Sequence, residues 1–162
     1  VRVAVITISD RASRGIYEDK SGPEIQSILE EMIPDVVISK SIVPDDEKAI
    51  LAAFKEYEGY DFILTTGGTG IGPRDITPDV TRKYCQKELP GISETLRALS
   101  FRETPSAMLS RGFSGMREKT IIVNFPGSLK AVQLCTKTIA TVMEHAIDMI
   151  EGKGHGHHLH PS

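Results

Sequence analysis

Three things are scarce in this sequence, and each scarcity removes a class of function. No apolar run approaches the roughly 18 residues that a bilayer-spanning helix needs. The apolar stretch Val1–Ile8 lacks the preceding basic region and small-residue cleavage site of a secretory leader, so it reads as a first strand. Only two cysteines are present, Cys85 and Cys135, far apart and without CxxC spacing. That excludes a disulfide scaffold and suits two buried thiols in a reducing compartment, the cytoplasm. Positive charge is not in excess either: 19 Lys and Arg against 22 Asp and Glu leave a net charge of −3. The chain as a whole is therefore no generic polyanion or nucleic-acid binder, although a local basic site for a phosphorylated ligand stays open. Internal repeats and interior linkers are lacking as well. The 162 residues are read as one domain, 1–151, followed by a flexible His-rich tail, 152–162.

Apolar β-branched runs alternate with segments of helical period. Val3 to Ile8 is continuously apolar, as expected of a strand buried on both faces. Ser21-Gly22-Pro23 opens a helix carrying Ile25, Ile28, Leu29 and Met32 at helical spacing. Residues 35–43 form a second strand, after which Asp45 or Asp46 caps a helix with the stripe Ile50, Ala53, Phe54 and Tyr57. A third strand, Asp61 to Thr66, runs into a glycine-rich turn. Thr77-Pro78-Asp79 then has the N-cap, first-turn proline and first-turn acid of a helix start. Pro90 to Ser100 is helical, with Ile92, Leu96 and Leu99 on one face, and residues 104–119 hold a short helix and an edge strand. Thr120 to Phe125 is the last strand, and one long helix follows from Pro126-Gly127-Ser128 to about Ile150. This alternation specifies an α/β fold, a three-layer sandwich with a mostly parallel sheet and helices on both faces.

The polar clusters all follow strands. Ser9-Asp10-Arg11 follows the first, Pro44-Asp45-Asp46 the second, Gly67 to Asp75 the third and Asn124 to Ser128 the last. In a parallel sheet these turns share the carboxyl-terminal edge, where open α/β folds bind ligands. Glycines at 67, 68 and 70 let backbone N–H groups approach an anion, and Thr69 adds a hydroxyl. The turn carries neither the Gly-Lys-Ser/Thr of a Walker A loop nor the dinucleotide GxGxxG pattern. Arg74 can hold a phosphate bidentately, and its neighbour Asp75 can hold Mg²⁺ or orient a nucleophile. Together they suit phosphoryl or nucleotidyl transfer. Each feature also has a plainer reading: a structural turn, a surface salt bridge, ordinary helix caps at Asp45 and Asp46, a turn residue at Asp10. Lys20 and Ser21 offer a second anion contact at a helix start. His145 is structural or exposed, and the tail histidines bind a transition metal at most opportunistically.

These residues resemble a known family. Thr66-Gly67-Gly68-Thr69-Gly70, three residues, then Arg74-Asp75-Ile76-Thr77-Pro78-Asp79 is similar to the signature of molybdenum-cofactor biosynthesis proteins. Ile8-Ser9-Asp10, Asp19-Lys20-Ser21-Gly22-Pro23, Val43-Pro44-Asp45, Met108-Leu109-Ser110-Arg111 and Asn124-Phe125-Pro126-Gly127-Ser128 match in the same order. His145-Ala146-Ile147-Asp148 resembles the last helix of the gephyrin G domain. The resemblance implies a molybdopterin adenylyltransferase that transfers AMP from Mg-ATP to the phosphate of molybdopterin and releases pyrophosphate. It implies Asp75 as the leading catalytic residue, through Mg²⁺, and Asp45 as a second functional aspartate. Thr66, Gly67, Gly68, Thr69, Gly70 and Arg74 would cradle the pterin-side phosphate, with Pro126, Gly127 and Ser128 lining the site. Asp10, Ser21 and Gly22 would lie nearer the nucleotide. A homotrimer is expected, as is a separate molybdate-insertion protein, since no second domain resembles that module. A non-catalytic molybdopterin carrier and a trimeric scaffold module are the alternatives from other classes.

Overall fold

A computed structural model describes residues 1–153. In chain order the elements are β1 (Arg2–Ile8), α1 (Asp10–Ser13), α2 (Ser21–Met32), β2 (Val37–Val43), α3 (Glu47–Glu56), β3 (Phe62–Thr66), α4 (Thr77–Tyr84), β4 (Lys87–Glu88), α5 (Pro90–Glu103), a 3₁₀-helix (Pro105–Leu109), β5 (Ser114–Arg117), β6 (Thr120–Phe125), α6 (Leu129–Ala140) and α7 (Met143–Ile150). The sheet has the order β2-β1-β3-β6-β5-β4. The first four strands of that order are parallel, while β5 runs antiparallel to both of its neighbours.

Side chains of a strand alternate between its faces, and here both faces are covered. Val3, Val5, Phe62, Leu64, Ile121, Val123 and Phe125 point to one side, where Ile25 and Leu29 of α2 and Val132, Cys135 and Ile139 of α6 meet them. Ala4, Ile6, Ile8, Ile63 and Ile122 point to the other, against Ile50 and Phe54 of α3 and Val80 and Tyr84 of α4. The expected three-layer sandwich is thus the observed one. Asn124 is the polar exception within β6. It is buried but satisfied: its amide donates to Thr65 Oγ1 and Thr81 Oγ1 at 3.0 Å each, and its Oδ1 accepts the Phe113 N–H at 3.0 Å.

Several local expectations need correction. The single C-terminal helix is two. Thr138 and Thr141 turn their hydroxyls onto the carbonyls of Leu134 and Thr138, and the amides of Thr141 and Val142 bond three residues back. The backbone tightens to bonds three residues back at this point, and Val142 is left 43% exposed rather than in the apolar stripe. Thr77 does not cap α4: Ile76 is the N-cap and makes no side-chain cap bond, and Thr77 is the first helical residue. The strand within residues 104–119, β5, is not at the edge, because the two-residue β4 lies outside it. The short α1, capped by Ser9 Oγ accepting the Ala12 N–H at 3.1 Å, carries too little periodicity to be read from sequence. Of the tail, residues 154–162 lie outside the described residues. No helix among the described residues is long and apolar enough to cross a membrane.

Phe54 is fully buried between α3 and the sheet and contacts the Tyr84 ring at a centroid distance of 5.3 Å. Phe54→Ala is expected to cost about 3–5 kcal/mol in urea unfolding. A loss below about 1 kcal/mol would mean that this layer is not packed as described.

Candidate functional site

The chain reverses direction across the sheet between β1 and β3. From β1 it moves outward to β2, and the next strand is laid on the opposite side of β1. A crevice opens at such a switch point, above the carboxyl ends of the strands. The turns after β1, β2, β3 and β6 all reach it.

Their approach is backbone to backbone. Gly67 sits at φ 101°, and a Cβ there would overlap the Ile8 carbonyl oxygen. The same residue lies against Gly127, where an added Cβ would meet Gly67 Cα at 3.5 Å. Gly67 N–H donates to Phe125 O at 3.1 Å, and Thr66 Oγ1 donates to Pro126 O at 2.8 Å. Ser21 Oγ donates to Gly127 O at 3.1 Å, which brings the start of α2 to the same turn. Asp19 receives the Gly22 N–H at 3.1 Å and the Thr7 hydroxyl at 2.9 Å.

The next three residues of the glycine turn are held through their carbonyls and leave their donors unused. Gly68 O accepts from Thr77 N–H at 3.2 Å, and Thr69 O accepts from Arg111 N–H at 2.7 Å. Among the described residues, the N–H groups of Gly68, Thr69 and Gly70 meet no protein acceptor. Gly68, at φ 70°, lets the turn pass close to two side chains: a Cβ there would lie 2.9 Å from Asp45 Oδ1 and closer still to Thr77 Oγ1. Those two oxygens are buried and have no hydrogen-bond partner. Buried polar atoms left unpaired cost stability, so two of them side by side at the end of an anion-competent turn mark a place kept for a ligand.

Three carboxylates lie around this turn. Asp46, not Asp45, caps α3, accepting the Ala49 N–H at 3.0 Å, and this frees Asp45 for the crevice. Asp45 and Asp10 are cross-linked, each accepting the other's backbone N–H at 3.0 Å. Arg74 grips Asp10 with two bonds of 3.0 Å, from Nε and Nη2. That grip holds the Asp10 carboxyl below the usual carboxylate range. Asp45 shifts the other way: burial pushes its pKa up, and the nearby charges of Asp10 and Asp75 add to the effect. Asp75 is half-buried and closes its own turn, with Oδ2 accepting the Gly72 N–H at 2.9 Å.

The anticipated residues thus fall into two groups. Asp10, Asp45, Gly67, Gly68, Thr69, Gly70, Arg74 and Asp75 are assembled around one crevice. Thr66, Ser21, Gly22 and Pro126 stand at its base with polar groups already bonded within the protein, and Gly127 closes against Gly67. Ser128 caps α6 through a 3.3 Å bond from Ala131 N–H and is exposed. Sequence reasoning missed Thr77 as a site residue and gave Arg111 no role, although both sit in quoted motifs. A separate cleft of about 340 Å³, lined by Phe54, Glu58, Tyr84 and Arg117, lies at the amino ends of β3 and β6, away from every one of these residues.

A raised carboxyl pKa penalises the folded state once the group ionises. The penalty is absent below the ordinary value of 3.8 and complete above the raised one. Asp45→Asn keeps an oxygen for the Asp10 amide. It is expected to melt at a higher temperature than wild type at neutral pH, with the gap closing as pH falls toward about 4. Melting curves across that range check this, and a variant less stable than wild type at neutral pH would contradict it.

Residues 4–145 match the family model described as a probable molybdopterin binding domain. The chain is 40% identical over 157 residues to a molybdopterin adenylyltransferase of Helicobacter pylori, covering 94% of this chain and 89% of that protein. It is 38% identical over 153 residues to the molybdenum cofactor synthesis protein cinnamon of Drosophila melanogaster, covering 93% of this chain and 26% of that one. Among solved structures, MogA superposes with a TM-score of 0.83 at 33% identity over 93% of this chain and 99% of the other. The molybdopterin biosynthesis enzyme MoaB of Thermus thermophilus superposes with a TM-score of 0.81 at 37% identity, over 94% of this chain and 97% of the other.

Proposed function

This chain belongs to the molybdopterin-binding domain family of molybdenum-cofactor biosynthesis, and from that premise we propose that it is a molybdopterin adenylyltransferase acting through the crevice between β1 and β3. The observation that carries the reading is the paired orphaned oxygens of Asp45 and Thr77, set beside a glycine turn whose Gly68, Thr69 and Gly70 amides have no acceptor among the described residues. A terminal phosphate oxygen of molybdopterin attacks the α-phosphorus of ATP. The bond from that phosphorus to the bridging oxygen breaks, pyrophosphate departs with the electron pair, and a phosphoanhydride joins AMP to the pterin.

Such a reaction asks the protein for positioning and charge neutralisation more than for covalent chemistry. The free N–H groups of Gly68, Thr69 and Gly70 supply fixed donors for a phosphate. Arg74 is 64% exposed in its pair with Asp10. An exposed pair is held by little energy, so Arg74 exchanges Asp10 for a phosphate at low cost. Asp10, at the β1 turn, and Ser21 and Gly22, at the start of α2, are the residues we assign to the nucleotide side.

Among the described residues no three His, Cys, Asp or Glu side chains form a ready-made metal cage. Mg²⁺ does not need one, since it is usually bound by one or two carboxylates together with substrate phosphates and water. Asp45, with an unpartnered oxygen and a pKa raised by burial and then by neighbouring negative charge, fits such a cation, and Asp75 would be the second holder. When bound, Mg²⁺ offsets the charge of the phosphates. Of the two free thiols Cys135 is buried and Cys85 half-buried, and burial pushes both up to about 11, so neither is a nucleophile. They suit the cytoplasmic setting we assign. Assembly as a homotrimer belongs to the same proposal: Phe101, Met108 and Leu109, exposed by 48, 61 and 51%, supply apolar surface for self-association. So does delivery of the product to a separate molybdate-insertion protein.

Pyrophosphate release from Mg-ATP, measured with and without molybdopterin, tests the activity. Wild type is expected to need both pterin and magnesium, and Asp75→Ala to lose at least about 100-fold in rate while still binding pterin. Normal release by Asp75→Ala would remove Asp75 from the chemistry. Tight pterin binding by wild type without any release would instead identify a carrier.

A further inference from the structure

The glycine turn from Gly67 to Ile76 belongs to no helix or strand, yet four of its carbonyls are captured by donors from outside it. In a trans peptide the carbonyl of one residue and the N–H of the next point in opposite directions. A donor that captures a carbonyl from the protein side therefore turns the following N–H toward the crevice. Gly68 O is captured by the Thr77 amide and Thr69 O by the Arg111 amide. Gly70 O is captured at 3.0 Å by Arg111 Nε, and Asp75 O at 2.6 Å by Arg111 Nη2. The guanidinium is itself anchored by Asp79, whose two carboxylate oxygens accept from Nη1 and Nη2 at 3.2 and 3.1 Å.

We propose that Arg111 is the positioning residue of this site: a planar brace whose guanidinium fixes the peptide groups after Gly70 and Asp75, and thereby the segment between them that carries Arg74 and the Asp75 side chain beside the anion-binding amides. The assignment rests on the adenylyltransferase reading above. The two arginines of the site divide the work. Arg74 spends its bidentate grip on an exposed carboxylate that it can exchange, and makes no bond to the glycine turn. Arg111 spends Nε, Nη1 and Nη2 on four acceptors belonging to the turn and the first turn of α4, so it has little left for a ligand. Its planar fork is what reaches them together, and an ammonium on a flexible stem has no such geometry. Without the brace, residues 70–75 keep only the Gly72–Asp75 turn bonds and the exchangeable Arg74–Asp10 pair. Arg111 contributes nothing to either apolar core, so the cost of losing it falls on the loop.

Two measurements on Arg111→Ala and Arg111→Lys test this. In the pyrophosphate assay with saturating molybdopterin and Mg-ATP, kcat is expected to fall by about 10- to 100-fold in both variants, the scale of a small misplacement of reacting groups. Millimolar guanidinium is expected to restore part of it in Arg111→Ala. Amide exchange, read without substrates, is expected to speed up at Gly72, Asp75 and Thr77 while the strands keep wild-type protection. Wild-type kcat in Arg111→Ala overturns the proposal. So does wild-type exchange at those three amides, and so does faster exchange across α5 and β5 as well, which would make Arg111 an ordinary structural residue. If the wild type transfers no AMP, the adenylyltransferase reading fails on that result alone, and the exchange data still decide whether Arg111 braces the turn.

Discussion

Everything at the site depends on how closely three chain segments meet without side chains between them. The backbone of Gly67 lies on the Ile8 carbonyl and against Gly127, where a Cβ on Gly67 would collide with the end of β1. This contact brings the ends of β1, β3 and β6 to a common point. It also explains why the hydroxyls of Thr66 and Ser21 are spent on the carbonyls of Pro126 and Gly127. They tie three turns into a rigid floor, and the groups left unspent lie just above it.

What lies above the floor is unevenly charged by design of the turns. Asp10 is neutralised by Arg74, Asp79 by Arg111, and Asp45 is left half-buried without an ion pair of its own. The two neutralised acids are held below the carboxylate range by their arginines, and the third is pushed above it by burial and by its neighbours. A place that disfavours its own negative charge is stabilised by whatever brings positive charge. A metal-bound polyphosphate does so, and the outward amides of the glycine turn meet its anionic side. Stability is given up at Asp45 and Thr77 for this, the usual relation between a site and its scaffold.

Much of this was legible in the sequence because the signals were redundant. Runs such as Val3–Ile8 and Thr120–Phe125 can only be strands covered on both faces, and the position of each polar cluster after a strand places it on one edge. The turn motifs carried the family resemblance for the same reason. What escaped was set by tertiary contacts. Nothing local says that Asp46 rather than Asp45 caps α3, because Pro-Asp-Asp permits either. Only the bond from the Asp10 amide decides it. Thr77 read as a cap because threonine before proline usually is one, whereas α4 begins a residue earlier and leaves the hydroxyl buried. Arg111 lies 36 residues from the Asp75 carbonyl it holds, and no periodicity connects them. The break at Thr141 was hidden by an apolar stripe that continues in register through it.

The most direct test is a crystal structure of the protein with adenylylated molybdopterin. The central claim requires the phosphoanhydride to lie over Gly68–Gly70, within hydrogen-bond distance of their amides and beside Asp45 and Asp75. Density for the ligand elsewhere, for instance in the cleft formed by Glu58, Tyr84 and Arg117 at the opposite sheet edge, would contradict it.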